Sequence, residues 1–137
     1  MITTYHHSAA FSDLAALLTG QLFLPQAADY KQVRQFWNGN VKTQPAVRCS
    51  ADTARVARCL TVQDVIHTVR WTRSQGLPLS VRAGGHDTAG RALSKGVVID
   101  LSQMRTVTVD PDQRTAHVQA GVLNLPTIPA MVAAGMG

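Results

Sequence analysis

Two short apolar runs with a glycine-bearing stretch between them constrain the fold of this chain more than any other feature. The first run occupies 79–81, and the second occupies 97–101 and is apolar almost throughout. A continuous apolar run of this length is typical of a strand buried on both faces. Gly84 and Gly85, which follow the first run, allow backbone angles that are closed to other residues. The sequence therefore predicts a strand, a loop of bare backbone and a second strand.

The stretch 82–90 also carries groups suited to a phosphate-bearing ligand. Consecutive amides of a glycine turn form a concave anion site, Arg82 adds a fixed positive charge, and His86 offers a nucleophilic ring nitrogen. The plain alternative is a turn without a ligand, which adjacent glycines between strands commonly form. The stretch is not a Walker loop, since no Gly-Lys-Ser/Thr follows, and not a Rossmann fingerprint, since no helical pattern follows the glycines.

The composition is that of a folded protein and makes a nucleic-acid partner a remote alternative. A chain of 137 residues that is 45% hydrophobic and 15% charged can bury a core. Its net charge of +5 suits an anionic partner, but the basic residues are scattered and only 5% of residues are aromatic. The apolar run at 14–18 is too short for a signal peptide or a membrane span. We therefore expect a soluble, cytoplasmic protein with no nucleic-acid and no membrane partner.

Local signals predict the other helices and strands. The clearest helix, at 61–75, has Thr61 as its N-cap and Asp64 as the acidic member of a capping box. Alternating segments at 106–110 and 115–119 predict a β-hairpin. Further helices are predicted at 13–19, 29–37 and, starting late because of its prolines, within 125–134.

The two cysteines lie in a short near-duplication. Val-Arg-Cys-Ser at 47–50 is echoed by Val-Ala-Arg-Cys-Leu at 56–60, and the sequence does not decide which copy forms a strand. Cys49 and Cys59 have neither Cys-x-x-Cys spacing nor a histidine at zinc-finger spacing, so no metal site is predicted. Two buried thiols are the simpler expectation, and a disulfide stays open.

The glycine stretch resembles the pyrophosphate loop of flavoenzymes related to vanillyl-alcohol oxidase and p-cresol methylhydroxylase, and it looks most like that of berberine-bridge-enzyme-like oxidoreductases. Their loop reads Arg-Gly-Gly-Gly-His-Ser. Here Ala83 replaces the first glycine and Asp87 replaces the serine, while Gly-Gly-His stands at 84–86. The leading segment at 18–38 and Val-Ile-Asp-Leu-Ser at 98–102 are similar to the family as well.

The resemblance implies FAD as the cofactor. In the family, the histidine that matches His86 is commonly bonded to the 8α-methyl carbon of FAD, so the resemblance makes His86 the candidate for a covalent link. The cofactor-binding residues that the resemblance implies are Arg82, Ala83, Gly84, Gly85, His86, Asp87, Thr88, Gly90 and Gly121. It implies no metal ligand, and no residue of this chain is assigned a catalytic role.

The resemblance also implies an α+β fold in two parts, an N-terminal helical lead-in at 1–44 and an incomplete FAD-binding domain of the p-cresol methylhydroxylase (PCMH) type at 45–137. In the complete enzyme, a hydride would pass from a substrate C–H bond to flavin N5, with oxygen as acceptor and a small molecule as substrate. The family's second glycine-rich segment, substrate domain and tyrosine-bearing segment have no counterpart here. We therefore expect no turnover by the isolated chain. A truncated, inactive remnant is the alternative, and the oligomeric state stays open.

Overall fold

The computed structural model describes residues 7–33, 55–86 and 96–123, together with positions 129, 132, 133 and 135. The helices in this part are α1 His7–Leu17, α2 Tyr30–Val33 and α3 Val62–Ser74. The strands are β1 Gln21–Phe23, β2 Arg55–Arg58, β3 Leu79–Arg82, β4 Val97–Asp100, β5 Val107–Asp110 and β6 Thr115–Val118. This mixture of helices and sheets confirms the α+β class. None of the described helices is long and apolar enough to cross a membrane.

Four of the strands form one sheet, in the order β1-β2-β4-β3. Strands β2, β4 and β3 run parallel, whereas β1 is antiparallel to β2. Because β4 lies between two neighbours and is covered on both faces, all four of its residues are buried. The expectation of a strand buried on both faces is therefore confirmed at this position.

The side chains of β4 alternate between two apolar layers. On one face, Val97 packs with Phe11 of α1, and the half-buried Trp71 of α3 lies against them. On the other face, α2 covers the sheet, and Val98 packs there with Phe23, Tyr30, Val33 and Val56. Burying an aliphatic side chain contributes roughly 1.5–3 kcal/mol, so covering both faces of β4 stabilises the sheet.

The start of α3 carries the capping box that the sequence predicts. Thr61 Oγ1 accepts a hydrogen bond from Asp64 N at 3.1 Å, and Asp64 Oδ2 accepts one from Thr61 N at 3.1 Å. The structure adds a contact between distant segments, because Asp64 Oδ1 also accepts a hydrogen bond from Thr19 N at 2.7 Å. Asp64 thus caps α3 and fixes the turn between α1 and β1.

The predicted hairpin is confirmed. Strands β5 and β6 pair antiparallel, with Val107 opposite Val118 and Asp110 opposite Thr115. The base of the hairpin continues this pairing, since Gln119 N donates to Thr106 O at 3.0 Å. The hairpin forms a sheet separate from the four-stranded one.

Helix α1 differs from its prediction at both ends. Helix α1 begins at His7 and ends at Leu17, whereas the capping signal at Ser12 predicts a helix over 13–19. Phe11 accounts for the earlier start, because its side chain is 3% exposed and its ring lies 4.8 Å from that of Trp71. After α1, the lead-in contributes β1 to the sheet, where it pairs antiparallel with β2.

The structure shows what the second copy of the near-duplication forms. That copy forms β2, and Cys59, directly after that strand, carries a buried free thiol. The first copy, with Cys49, lies outside the described residues. The predicted helix at 29–37 is described only over Tyr30–Val33. Of the helix expected within 125–134, only positions 129, 132 and 133 are described, and these three are helical.

Candidate functional site

The carboxyl ends of three parallel strands meet at one edge of the sheet. Strand β2 ends at Arg58, β4 at Asp100 and β3 at Arg82, and the register places both arginines opposite Asp100. The glycine loop leaves β3 at this edge. In open sheets with parallel strands, ligands bind outside the carboxyl ends of the strands. The topology therefore places the loop where a ligand is expected.

The described part of the glycine loop, residues 83–86, is shaped by its two glycines. Gly85 has a φ of +77°, a conformation that strains a residue with a Cβ. Within the described ranges, the amides of Gly84 and Gly85 donate to no backbone carbonyl. Loop amides that donate to no carbonyl are suited to bind an anion.

His86, the last described residue of this loop, is exposed. A Cβ built on Gly84 would lie 2.9 Å from His86 Cδ2, so the missing side chain at Gly84 lets the imidazole ring lie against the loop. The same Cβ would lie 3.5 Å from Leu123 Cδ2, which belongs to the segment after the hairpin. The structure thus brings together the loop, His86 and the segment that begins at Gly121.

Gly121 holds that segment against the end of β4. Its amide donates to Met104 O at 2.9 Å, and a Cβ at this position would lie 2.0 Å from Leu101 O. Only glycine permits two backbone segments to approach so closely. The family resemblance implies that Gly121 contacts the cofactor. In the structure, Gly121 has a further role, because its close packing against Leu101 brings Leu123 to the loop. The contact between Gly121 and the cofactor stays a prediction.

Arg82 is turned into the protein. Its side chain is buried, Nη2 donates to Asp100 Oδ2 at 2.9 Å, and Nη1 donates to the carbonyl oxygen of Val33. The sequence suggests a positive charge that faces phosphate, whereas these two contacts join the guanidinium to β4 and to α2 of the lead-in. A direct contact between Arg82 and a phosphate stays a prediction.

Asp100 is the residue that the sequence-based site omits. Its carboxylate is fully buried and accepts hydrogen bonds from Arg58 Nε at 3.1 Å, Arg82 Nη2 at 2.9 Å and Ser102 N at 3.0 Å. Burial by itself raises the pKa of this carboxyl, but the charge of Arg82 and the hydrogen bonds from Ser102 and Arg58 together hold the pKa below its ordinary value. The signal for it in the sequence is an acidic residue within an apolar run, because a buried charge must be paired.

The other predicted site residues are only partly described. Ala83 is half-buried between Arg82 and the glycines, whereas Asp87, Thr88 and Gly90 lie outside the described residues. In the part of the chain that the structure describes, no group of three or more His, Cys, Asp and Glu side chains is arranged to hold a metal ion.

Comparison with known proteins identifies the same region. Residues 53–134 match the family described as FAD binding domain, and this match covers β2, α3, β3, the glycine loop, β4 and the hairpin. The (R)-6-hydroxynicotine oxidase of Paenarthrobacter nicotinovorans is 30% identical over 108 residues, which are 78% of this chain and 22% of that protein. Berberine bridge enzyme-like 3 of Arabidopsis thaliana is 30% identical over 102 residues, 72% of this chain and 17% of that protein.

Solved structures show the same architecture. The crystal structure of 6-hydroxy-D-nicotine oxidase from Arthrobacter nicotinovorans superposes with a TM-score of 0.72 at 28% identity, over 86% of this chain and 24% of that one. The present chain therefore spans about a quarter or less of the length of these relatives.

Proposed function

Since this chain belongs to the FAD-binding domain family of flavoenzymes related to vanillyl-alcohol oxidase and p-cresol methylhydroxylase, we propose that its glycine loop binds the FAD of a flavin-dependent oxidase. The observation that carries the proposal is the position of the loop. It leaves β3 at the carboxyl edge of the parallel strands and lies within the matched region. Two features support binding of a dinucleotide. Within the described residues, the amides of Gly84 and Gly85 donate to no backbone carbonyl, and the imidazole of His86 next to them is exposed.

Each part of the site has a distinct task in this proposal. The amides of Gly84 and Gly85 bind the diphosphate, because turn amides of this kind present several N–H groups to one anion. His86 faces the isoalloxazine ring, and Leu123 supplies an apolar contact beside the loop. FAD, when bound, supplies the hydride acceptor that the protein's own side chains lack.

Binding of FAD by the 137-residue chain tests the proposal. We expect saturable binding of one FAD per chain, measured by equilibrium dialysis and by the change in flavin fluorescence on titration. A chain that shows the circular dichroism of its helices but binds no FAD would contradict the proposal and support the inactive remnant. Retention on DNA that falls steeply with salt would instead support the remote nucleic-acid alternative.

We further propose a covalent link between His86 and the flavin. Such a link would replace one imidazole N–H bond and one C–H bond of the 8α-methyl group by one N–C bond, and would release two protons and two electrons. Dioxygen would accept them and form hydrogen peroxide. The exposed position of the imidazole beside Gly84 supports the assignment.

The variant His86→Ala tests the covalent link. We expect the wild-type protein to keep its flavin through acid precipitation, and the variant to release all of it while still binding FAD reversibly. Flavin that stays bound to the precipitated variant would reject His86 as the attachment point.

In the complete protein, we propose an oxidase that acts on a small-molecule substrate, with no nucleic-acid or membrane partner and a cytoplasmic location. A relative named as an oxidase supports the reaction class. Because the chain spans so little of its relatives, we expect no oxygen-dependent peroxide formation by the isolated 137-residue protein beyond that of free FAD. Cell fractionation of the native protein would test the location.

A further inference from the structure

We propose that Asp100 is a positioning residue for the glycine loop, residues 83–86. Its carboxylate fixes Arg82, and Arg82 in turn sets the path of the loop that carries His86. The inference rests on the proposed function, and it assigns Arg82 a task inside the protein in place of a phosphate contact.

The contacts of Asp100 join the ends of all three parallel strands. Its side chain binds Arg58 at the end of β2 and Arg82 at the end of β3 through the same oxygen, Oδ2. Its other oxygen accepts the amide of Ser102, which directs the chain as it leaves β4. Its main-chain carbonyl accepts a hydrogen bond from Cys59 N at 3.0 Å. A single residue therefore fixes the edge of the sheet from which the loop departs.

Arg82 is held at its main chain as well as at its side chain. Its carbonyl oxygen accepts a hydrogen bond from Leu101 N at 2.8 Å, while its guanidinium binds Asp100 and the carbonyl of Val33. His86 follows four residues later, a reach of no more than about 14 Å. The intervening glycines have little conformational preference of their own, so the anchor at Arg82 decides where the loop begins.

The network also reaches the lead-in. The guanidinium of Arg58 lies 4.9 Å from the centre of the Phe23 ring, and Arg82 contacts Val33 at the end of α2. Both contacts come from residues before the matched region at 53–134. Phe23 and Val33 of the lead-in thus contact the two arginines that pair with the buried carboxylate.

A purely structural salt bridge is the competing explanation. Buried ion pairs commonly add little net stability, because removing charges from water offsets much of their attraction. Removing only one partner of the pair is nevertheless destabilising, because the other charge is then left buried without a counter-charge. If Asp100 has only a structural role, its substitution lowers the stability of the fold and nothing else. If Asp100 positions the loop, its substitution also lowers the order of the loop and the affinity for FAD. Both losses are then larger than those caused by a substitution elsewhere that costs the same stability.

Asp100→Asn, with Asp64→Asn as its matched control, separates these explanations. Asp64 is also buried, but its hydrogen bonds go to Thr19, Leu60 and Thr61 and not to the loop. At a temperature where circular dichroism shows both variants folded, we expect Asp100→Asn to weaken FAD binding at least tenfold and to change the visible circular dichroism of bound flavin. We expect Asp64→Asn to stay within about twofold of the wild type. Equal effects of the two variants, or unchanged affinity in Asp100→Asn, would overturn the inference.

A measurement without cofactor keeps the inference separate from the proposed function. We expect the backbone NMR order parameters of Gly84 and Gly85 to fall in Asp100→Asn and to stay unchanged in Asp64→Asn. Unchanged order parameters in Asp100→Asn would reject the positioning role even if FAD binds, and failure of the wild-type chain to bind FAD would reject only the proposed function.

Arg82→Lys provides a second route if Asp100→Asn does not fold. Lysine keeps the positive charge but cannot contact Asp100 and the Val33 carbonyl with two separate nitrogens, as the guanidinium does. We expect Arg82→Lys to lower the order parameters of Gly84 and Gly85. Wild-type order in this variant would show that charge alone suffices and would contradict the positioning mechanism.

Discussion

Gly85 and Gly76 share a backbone conformation but lie in different parts of the molecule. Their φ angles are +77° and +63°, and a Cβ at either position would meet no atom of the described residues within 4 Å, chain neighbours aside. Substitution at either position therefore introduces backbone strain without a collision in the described part of the chain. Only Gly85 lies in the glycine loop, since Gly76 follows the end of α3.

This pair yields a prediction about the loop backbone. Valine at either position would strain the backbone by roughly 1–3 kcal/mol, and the local chain would relieve the strain by changing its path. We expect Gly85→Val to weaken FAD binding at least tenfold, and Gly76→Val to lose comparable stability with unchanged FAD affinity. Fluorescence titration and urea unfolding of both variants measure the two effects. FAD affinity that falls equally in the two variants would show that general destabilisation, and not the loop path, controls binding.

Helix α3 and the β5–β6 hairpin could be predicted from the sequence, because their determinants are local. The capping box at Thr61 and Asp64 spans one helical turn, and the alternation on either side of 110–114 fixes the hairpin. The order of the strands could not be predicted in this way. Placing β4 between β2 and β3 depends on pairing across helix α3 and the glycine loop, which no local pattern specifies.

The close approach of Gly121 to Leu101 fixes the segment that follows the hairpin. A Cβ at Gly121 would lie 2.0 Å from Leu101 O, so Gly121→Ala must push two backbone segments apart. We expect it to destabilise the fold by about 1–3 kcal/mol, the range for overpacked sites, and to weaken FAD binding because Leu123 moves from the loop. Urea unfolding measures the first effect and FAD titration the second.

Ala120→Ser is the matched control for this prediction. Ala120 is the exposed neighbour of Gly121, and surface substitutions usually change stability by no more than about 0.5 kcal/mol. An unfolding midpoint of Gly121→Ala equal to that of Ala120→Ser would show that the hairpin segment can shift without cost.

At the scale of the whole molecule, two buried carboxylates connect segments that are far apart in the sequence. Asp64 joins the start of α3 to the turn before β1, and Asp100 joins the ends of the parallel strands. Burial by itself raises the pKa of Asp64, but the amides of Thr19, Leu60 and Thr61 lower it below its ordinary value. The pKa of Asp100 is also lowered, as described above.

These pKa shifts predict how stability depends on pH. Because both carboxyls have a lower pKa in the folded than in the unfolded state, the unfolded state takes up protons first as the pH falls. Their contribution is therefore complete above the unfolded value of about 3.9 and is lost as the pH falls from there through the lower folded values. We expect the free energy of unfolding, from urea titrations between pH 7 and pH 2.5, to fall below about pH 4.

The control is the double variant Asp64→Asn/Asp100→Asn. It lacks both carboxyls, so it should be less stable at pH 7 and should lose less further stability below about pH 4 than the wild type. An equally steep acid decline in both proteins would assign the pH dependence to other carboxyls of the chain.

The sequence by itself determined the elements whose signals lie within a few residues: the capped helix α3, the hairpin, the buried strand β4 and a glycine loop with a histidine after it. The tertiary structure decided which way Arg82 points. Its guanidinium faces Asp100 because parallel pairing of β3 with β4 places the last residues of the two strands side by side. That register depends on contacts between segments separated by a loop, so the partner of a buried charge is set by the packing of the sheet and not by the residues that flank it in the chain.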